Sequence, residues 1–315
     1  MPRLSLVIPF LGDSEALEDT LLSVLENRPE DCEIVVVLAA PYDNPYRLED
    51  EVRFVRARSG GGWIGAVNAG IGVSRAPVVH LLACGGLATA GWADAALCRF
   101  EDPRVAAVVP LVVDRSRPDR LVAAGMTYGA AGEVRSLGRK GKDWANGGFR
   151  RQVLAPHPAA VFYRRSALEK VGRFDPHVAD HLAGIDMGLI LQQLRWHTVL
   201  EPRSRVAATA EGPPISRFRA AFEAERFFWR WASAHGWSRS LLLHALLVTG
   251  ECLTGLITLS IVPRLAGRML GGCLGILRRD SRQRVGQRES TAWRDLVPGT
   301  LRRDHEARAS GHAVR

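Results

Sequence analysis

The sequence predicts an α/β fold, a mostly parallel sheet with helices on both faces, and three observations carry that expectation. Short apolar runs at 4–9, 32–38 and 78–82 are too uniformly hydrophobic for half-exposed strands and fit strands covered on both faces. Helix-period segments separate them, so strand and helix alternate over roughly the first hundred residues. Residues 59–92 then run from glycines into a helical segment, a dense apolar strand and a turn of small side chains. In open α/β sheets, ligands bind in the crevice beyond the carboxyl ends of the strands, so that turn is where a site is expected.

In chain order, 4–9 is the first strand, closed by Pro9. Ser14 is placed to cap the next helix, whose Leu17, Leu21, Leu22, Val24 and Leu25 recur at helical spacing. Cys32–Leu38 is the second strand, followed by a loop rich in Pro, Asp and Asn around 41–45, and 52–57 the third. A helix over 64–74 is broken by Pro77 before the fourth strand, Val78–Leu82, which ends in Ala83-Cys84-Gly85-Gly86. A helix over 91–100 and a strand over 105–113 follow.

From 114 to 154 the pattern loosens into Gly-, Arg- and Asp-rich sequence with short strand candidates near 121–128, an insertion or acceptor-side region rather than a separate domain. Beyond it lie a strand at 159–163, a short helix at Arg165–Val171 and an amphipathic helix at 185–195. A longer helix, 216–235, sets Phe218, Phe222, Trp229 and Ala232 on one face, with Arg217, Arg219, Arg226 and Arg230 spread around it. Such a surface packs on a domain or rests at lipid headgroups.

Residues 240–262 are long enough to cross a bilayer, but His244 and Glu251 interrupt them. A mid-helix acid costs about 2.5–3.5 kcal/mol on insertion scales. Three readings stay open for this segment and the Gly-rich piece 265–277: a helix lying on the membrane, a docked helical hairpin, or a true span. The expected organisation is a core domain over 1–210, a helical, membrane-associated extension over 211–277, and a basic disordered tail over 278–315.

The formal charge of +9 and pI near 9.9 suggest a polyanionic neighbour, although much of the excess sits late in the chain. No nucleic-acid-binding module is recognisable, so that class is set aside. Cys32, Cys84, Cys98, Cys252 and Cys273 form neither close pairs nor metal-ligand spacing, and read as thiols in a reducing compartment. The opening MPRLSLVIPF is too short an apolar run for a signal peptide. The expectation is a cytoplasmic protein, peripheral at the inner face of the cell membrane.

These residues resemble the family-2 glycosyltransferases, which use a GT-A fold to move a sugar from a nucleotide diphosphate to an acceptor. LSLVIPF with Leu17, Leu21, Ser23 and Val24 is similar to that family's first strand and helix. Gly62, Ala66, Asn68 and Gly70 match its Gly-x-x-x-Ala-x-Asn-x-Gly segment, and Gly91-Trp92 the step after its metal motif. AAVFYRRSALEKVGRFDP (159–176) resembles the run before its catalytic region, and Asp186 and Pro202 fall at its later spacing.

The resemblance implies nucleotide-side positions at Pro9, Asp43, Gly62, Asn68, Ala83 and Gly85, and acceptor-side positions at Trp92 and His157. It also exposes departures. The paired aspartates ending the second strand fall on Leu38 and Ala39, and the asparagine opening the glycine segment on Gly60. The metal-binding Asp-x-Asp falls on Ala83-Cys84-Gly85, the Glu-Asp pair supplying the base on Ala183-Gly184, and a later histidine on Ala208. A hard divalent cation needs oxygen ligands, so no metal site is expected at the usual motif. Another cation would have to meet the diphosphate, with Arg58, Arg164, Arg165 and Arg217 available.

Asp186 is the carboxylate left to act as the catalytic base, or it simply favours a helix start. Asn68 either touches a ligand or braces its loop. The run Gly60–Gly62 is a phosphate cradle or a turn, His80 a core histidine, and Cys84 a small buried hydrophobe. Two functions follow from the resemblance: transfer of a sugar from a nucleotide-sugar donor to a lipid-linked or polysaccharide envelope acceptor beside an anionic membrane surface, or a non-catalytic relative serving as a binding or scaffolding module.

Overall fold

The computed structural model describes residues 1–57, 61–138, 153–208, 215–232, 237–257 and 261–277. The tail 278–315, Arg58 and Gly60 lie outside them. Strand β1 (Leu4–Phe10) leads to helix α1 (Ser14–Glu26), β2 (Cys32–Leu38), a 3-10 turn at Leu48–Asp50, β3 (Val52–Arg56), α2 (Gly62–Val73) and β4 (Val78–Leu82). Next come a two-residue β5 (Leu87–Ala88), α3 (Trp92–Leu97) with a 3-10 turn at Cys98–Glu101, β6 (Val105–Asp114), β7 (Leu121–Ala123), β8 (Met126–Tyr128) and β9 (Val134–Ser136). The remainder is β10 (Ala160–Arg164), α4 (Arg165–Val171), α5 (Ala183–Gln193), β11 (His197–Ala208), α6 (Arg217–Trp231), α7 (Trp237–Ile257) and α8 (Ile261–Leu277).

The strands form one sheet in the order β3-β2-β1-β4-β10-β6-β11-β5, with β7 paired to β6. Its first half is parallel throughout, as the apolar runs predict. The second half is mixed, because β10 runs antiparallel to both β4 and β6. All seven residues of β1 are buried, since both faces of the sheet are covered. Leu4, Leu6, Ile8 and Phe10 meet Leu17, Leu21 and Val24 of α1 together with Trp92. On the other face Val7, Val35 and Val37 meet Ile64, Val67 and Ile71 of α2, and the layer continues into Ala183, Met187 and Leu191 of α5.

Two local expectations are corrected. The cap of α1 is Asp13, whose carboxylate accepts the Ala16 N–H at 3.1 Å, so Ser14 is the first helical residue. The helix expected over 91–100 tightens to 3-10 geometry after Leu97.

The three carboxyl-terminal helices pack against the domain and one another. Helix α6 is capped by Ser216 and rests Phe227 and Trp231 on Tyr128, Ile185 and Leu189. Helix α8 lies closely along α6: a Cβ added at Gly267 or Gly271 would stand 2.4 or 2.5 Å from a carbonyl oxygen of α6, so only glycine permits this approach. Among the described residues no helix is long and apolar enough to cross a membrane.

Candidate functional site

Strand direction brings the sequence-predicted positions to one edge of the sheet. β1, β2 and β4 are parallel, so Phe10, Leu38 and Leu82 end there, and antiparallel β10 begins there, with Ala160 opposite Leu82. Helix α2, entered from β3, starts at the same edge. So does α5, where the Asp180 carboxylate accepts the Ile64 N–H of α2 at 3.4 Å and Gly184 faces Pro156. Pro9, Gly62, Ala83, Gly85, His157 and the start of α5 therefore lie at one edge of the sheet.

The turn after β4 is closed on its own domain. Gly85 sits at φ +82°, and its N–H is shared between the Ala16 carbonyl, at 3.1 Å, and Thr20 Oγ1, at 2.9 Å. The Ala83 carbonyl accepts the Gly86 N–H at 2.9 Å, and the Cys84 thiol donates to the Pro9 carbonyl at 3.3 Å. Burial, with a smaller push from Asp13, raises that thiol to about 12, so it is no thiolate ligand. What remains for a cation is a few backbone carbonyls, several already engaged. A hard divalent ion asks for carboxylate oxygens, and the residues present do not fit one. Among the described residues no three His, Cys, Asp or Glu side chains converge as a metal site.

Three predicted site residues have structural employment. Asp186 is buried 3% exposed in α5, where Arg230 of α6 grips both carboxylate oxygens at 2.9 and 3.2 Å and Trp231 Nε1 donates to Oδ1 at 2.9 Å. Arg230 also holds Asp175 at 3.0 Å. A carboxylate so engaged ties α5 to α6. Asn68 spends both halves of its amide on Phe174, donating to its carbonyl at 2.8 Å and accepting its N–H at 3.0 Å, which braces α2 to the segment after α4. Trp92, expected on the acceptor side, is fully buried, tilted against His80 and Phe162. A tryptophan after a left-handed glycine reads alike whether it lines a cleft or fills a core.

The other positions lie in loops at that edge of the sheet. Asp43 is exposed in the loop after β2. His157 is half-buried, and its Nδ1 accepts the Ala159 N–H at 3.2 Å, which puts the proton of the neutral ring on Nε2. Burial pulls this imidazole down to about 4, so near neutral pH it is a hydrogen-bond donor and no cation. His80, by contrast, is core: its Nδ1 donates to the Val161 carbonyl at 2.9 Å, its ring stacks on Phe162, and burial lowers it to about 3. Of the arginines proposed as counter-cations, Arg164 donates to the Phe100, Asp102 and Val105 carbonyls and Arg165 to that of Ser74, while Arg217 is exposed at the start of α6.

Sequence reasoning passed over Asp180 and Tyr42. Asp180 is exposed at the cleft mouth, and belongs to no motif; its one signal is a carboxylate just ahead of a helix. Tyr42 stands between the rings of Phe10 and Phe54 beneath the β2 loop, its buried hydroxyl without a hydrogen-bond partner. Only the fold brings these three rings together.

Comparison with known proteins places this geometry. A sequence model described as glycosyl transferase family 2 matches residues 5–172, just over half of the chain. The fold is similar to the crystal structure of GalNAc-T7 with UDP, GalNAc and Mn2+, with a TM-score of 0.55 and 16% identity over 73% of this chain and 48% of that one. The chain thus spans about half the length of that relative. It is also similar to the mannosyltransferase PcManGT from Pyrobaculum calidifontis in complex with GDP-Man and Mn2+, with a TM-score of 0.51 and 18% identity over 89% of this chain and 88% of that one. At such identities the likeness is one of fold, a GT-A-like sheet. No curated protein matches the chain.

Proposed function

The chain belongs to glycosyl transferase family 2, and from that premise we propose that it serves nucleotide-sugar-dependent glycan assembly at the cell envelope as a binding or scaffolding member, without metal-assisted transfer. One observation carries this reading: the turn after β4 presents Ala83, Cys84 and Gly85, with the thiol and the Gly85 N–H bonded back into the domain. A donor diphosphate would find no bridging cation there, and the substitution of Asp-x-Asp and Glu-Asp by small residues removes both electrostatic stabilisation and base. The structural relatives carry UDP or GDP-Man with Mn2+; for this chain the donor's nucleotide is proposed to rest beside Pro9, Asp43 and Gly62, metal-free, and the acceptor near His157. The division into 1–210, 211–277 and 278–315, with the last two facing an anionic membrane surface on its cytoplasmic side, is part of the same proposal.

A second reading, metal-independent transfer, is favoured by Asp180, an exposed carboxylate three residues ahead of Ala183. Calorimetry with uridine-, guanosine- and thymidine-diphosphate sugars, with and without manganese, tests both. The first reading expects affinity indifferent to manganese and no sugar release; manganese-dependent affinity overturns it. Sugar transfer lost in Asp180→Asn selects the second reading.

A further inference from the structure

The α7–α8 hairpin is built with its charges inward and its apolar side chains outward. Arg268 of α8 donates to Glu225 of α6 at 2.9 Å and to Glu251 of α7 at 2.8 Å, and is 10% exposed. His244 of α7 lies 3.1 Å from the same Glu225, and its Nδ1 donates to the Ala131 carbonyl at 2.7 Å. Arg264 turns back toward the Glu251 carbonyl and Thr254. The opposite surface carries Leu242, Leu246, Leu253, Val262, Met269 and Leu270, each at least half exposed. A hairpin docked under water would reverse this arrangement.

We propose that this outer face of α7 and α8 seats the protein in the plane of an anionic bilayer surface, with the hairpin lying among the headgroups. The apolar stripe is about 17 Å long on α7, from Leu242 to Leu253, and about 12 Å on α8, from Val262 to Leu270, far short of a hydrocarbon core of about 30 Å, so it suits lying rather than crossing. The chain leaves α8 directly into RRDSRQRVGQR (278–288), five arginines against one aspartate, which anionic headgroups attract. Apolar side chains inserted beside a basic segment are the two signals that interfacial helices combine. The two tryptophans near the end of α6 turn their indoles inward. Trp231 is buried on Asp186, and Trp229 donates to Glu225 at 2.8 Å, so α6 instead ties the seated hairpin to α5 at the cleft.

This inference rests on the membrane-proximal part of the proposed function, yet its test needs neither nucleotide nor acceptor. The full chain is sedimented with vesicles of phosphatidylcholine alone and with about one third phosphatidylglycerol, and its mass is measured by light scattering without lipid. Binding to the anionic vesicles is expected, falling by roughly tenfold or more in Leu246→Gln/Met269→Gln, whose side chains are largely exposed. Replacing Arg278, Arg279 and Arg282 by Gln should weaken binding and its salt sensitivity together. Indifference of the wild type to anionic vesicles overturns the proposal, as does equal binding by the Gln variants with unchanged thermal unfolding. So does self-association that those substitutions abolish without any vesicle binding, which would make the face a contact between copies. Loss of donor affinity with vesicle binding intact would remove the proposed function and leave the seating face standing.

Discussion

At the carboxyl end of β4 this family-2 fold keeps the strand and turn of a ligand edge while the side chains there are Ala, Cys and Gly. At the junction of α6, α7 and α8, residues with no place in the family's motifs concentrate two carboxylates, an arginine and a histidine within hydrogen-bonding distance of one another. The first region has a ligand's geometry without its charges; the second has the charges and turns them on itself. Burial explains how they persist together. A charge out of water is tolerable only when paired and hydrogen-bonded, so the junction must be complete to exist at all. The β4 turn contains no charge, and its few polar groups close onto Ala16, Thr20 and Pro9. Polar chemistry in this chain has gone into holding the extension on, more than into the cleft.

The sharpest way to break that contrast is at Glu225, which is 6% exposed and faces both His244 and Arg268. Its carboxyl is held below the ordinary value although burial pushes the other way, because hydrogen bonds from His244 and Arg268 prevail. Glu225→Leu should leave Arg268 with Glu251 alone and cost about 3–5 kcal/mol, the range for stripping one member from a buried ion pair. Denaturant unfolding followed by tryptophan fluorescence reads it, since Trp229 donates to the same carboxylate. A loss under about 1 kcal/mol would mean the network is solvated and contributes as little as surface pairs do.

Asp186 sharpens the comparison because it can be read into either region. Sequence spacing offers it as a base; the structure surrounds it with Arg230 and Trp231. Asp186→Asn keeps an acceptor for the indole but loses the charge-assisted pair, and about 2 kcal/mol of stability is expected to go with it. If unfolding is unchanged and a measurable transfer activity disappears, the anchoring role is wrong and the residue serves the cleft.

The halves of the chain were not equally legible. Strands β2 and β4 coincide with their expected bounds, because uninterrupted apolar runs flanked by Asp, Asn, Pro and Gly leave little choice. The β7–β9 region was barely readable: each of these strands has three residues, too few to show a period. At the candidate site, the small uncharged side chains of the β4 turn could be seen at once, since they are a matter of residue type. The fates of Asn68, Trp92 and Asp186 could not, because each depends on partners far away in sequence, at Phe174, His80 and Arg230. For 240–262 the interruptions His244 and Glu251 pointed away from a span. That they face α6 and α8, leaving leucines outside, required the tertiary structure.

Asn68 gives a smaller effect. Removing its amide in Asn68→Ala leaves the Phe174 N–H and carbonyl without these partners, and about 1–2 kcal/mol should be lost in thermal or chemical unfolding. Donor affinity, measured by the same calorimetry, should move little if bracing is its role, and should vanish if the side chain touches the nucleotide.

The mildest test uses acid. His80 and His157 are drawn by burial to about 3 and about 4, below the roughly 6.5 of an exposed imidazole. Between those values and 6.5 the unfolded chain binds more protons than the folded one, so stability rises with pH. The sign is fixed: the contribution is complete above about 6.5 and is lost progressively as pH falls toward 4 and below. His80→Phe should flatten that limb, because the ring already stacks on Phe162 and its Nε2 has no partner to lose. The Nδ1 bond to Val161 is lost in the exchange, so stability near pH 7 should drop slightly while the midpoint becomes less dependent on pH. A slope between pH 4 and 6.5 that survives both His80→Phe and His157→Gln would assign the acid sensitivity to His181, whose imidazole burial also lowers, since the Glu225 carboxyl, held below its ordinary 4.5, loses its stabilising charge only at lower pH.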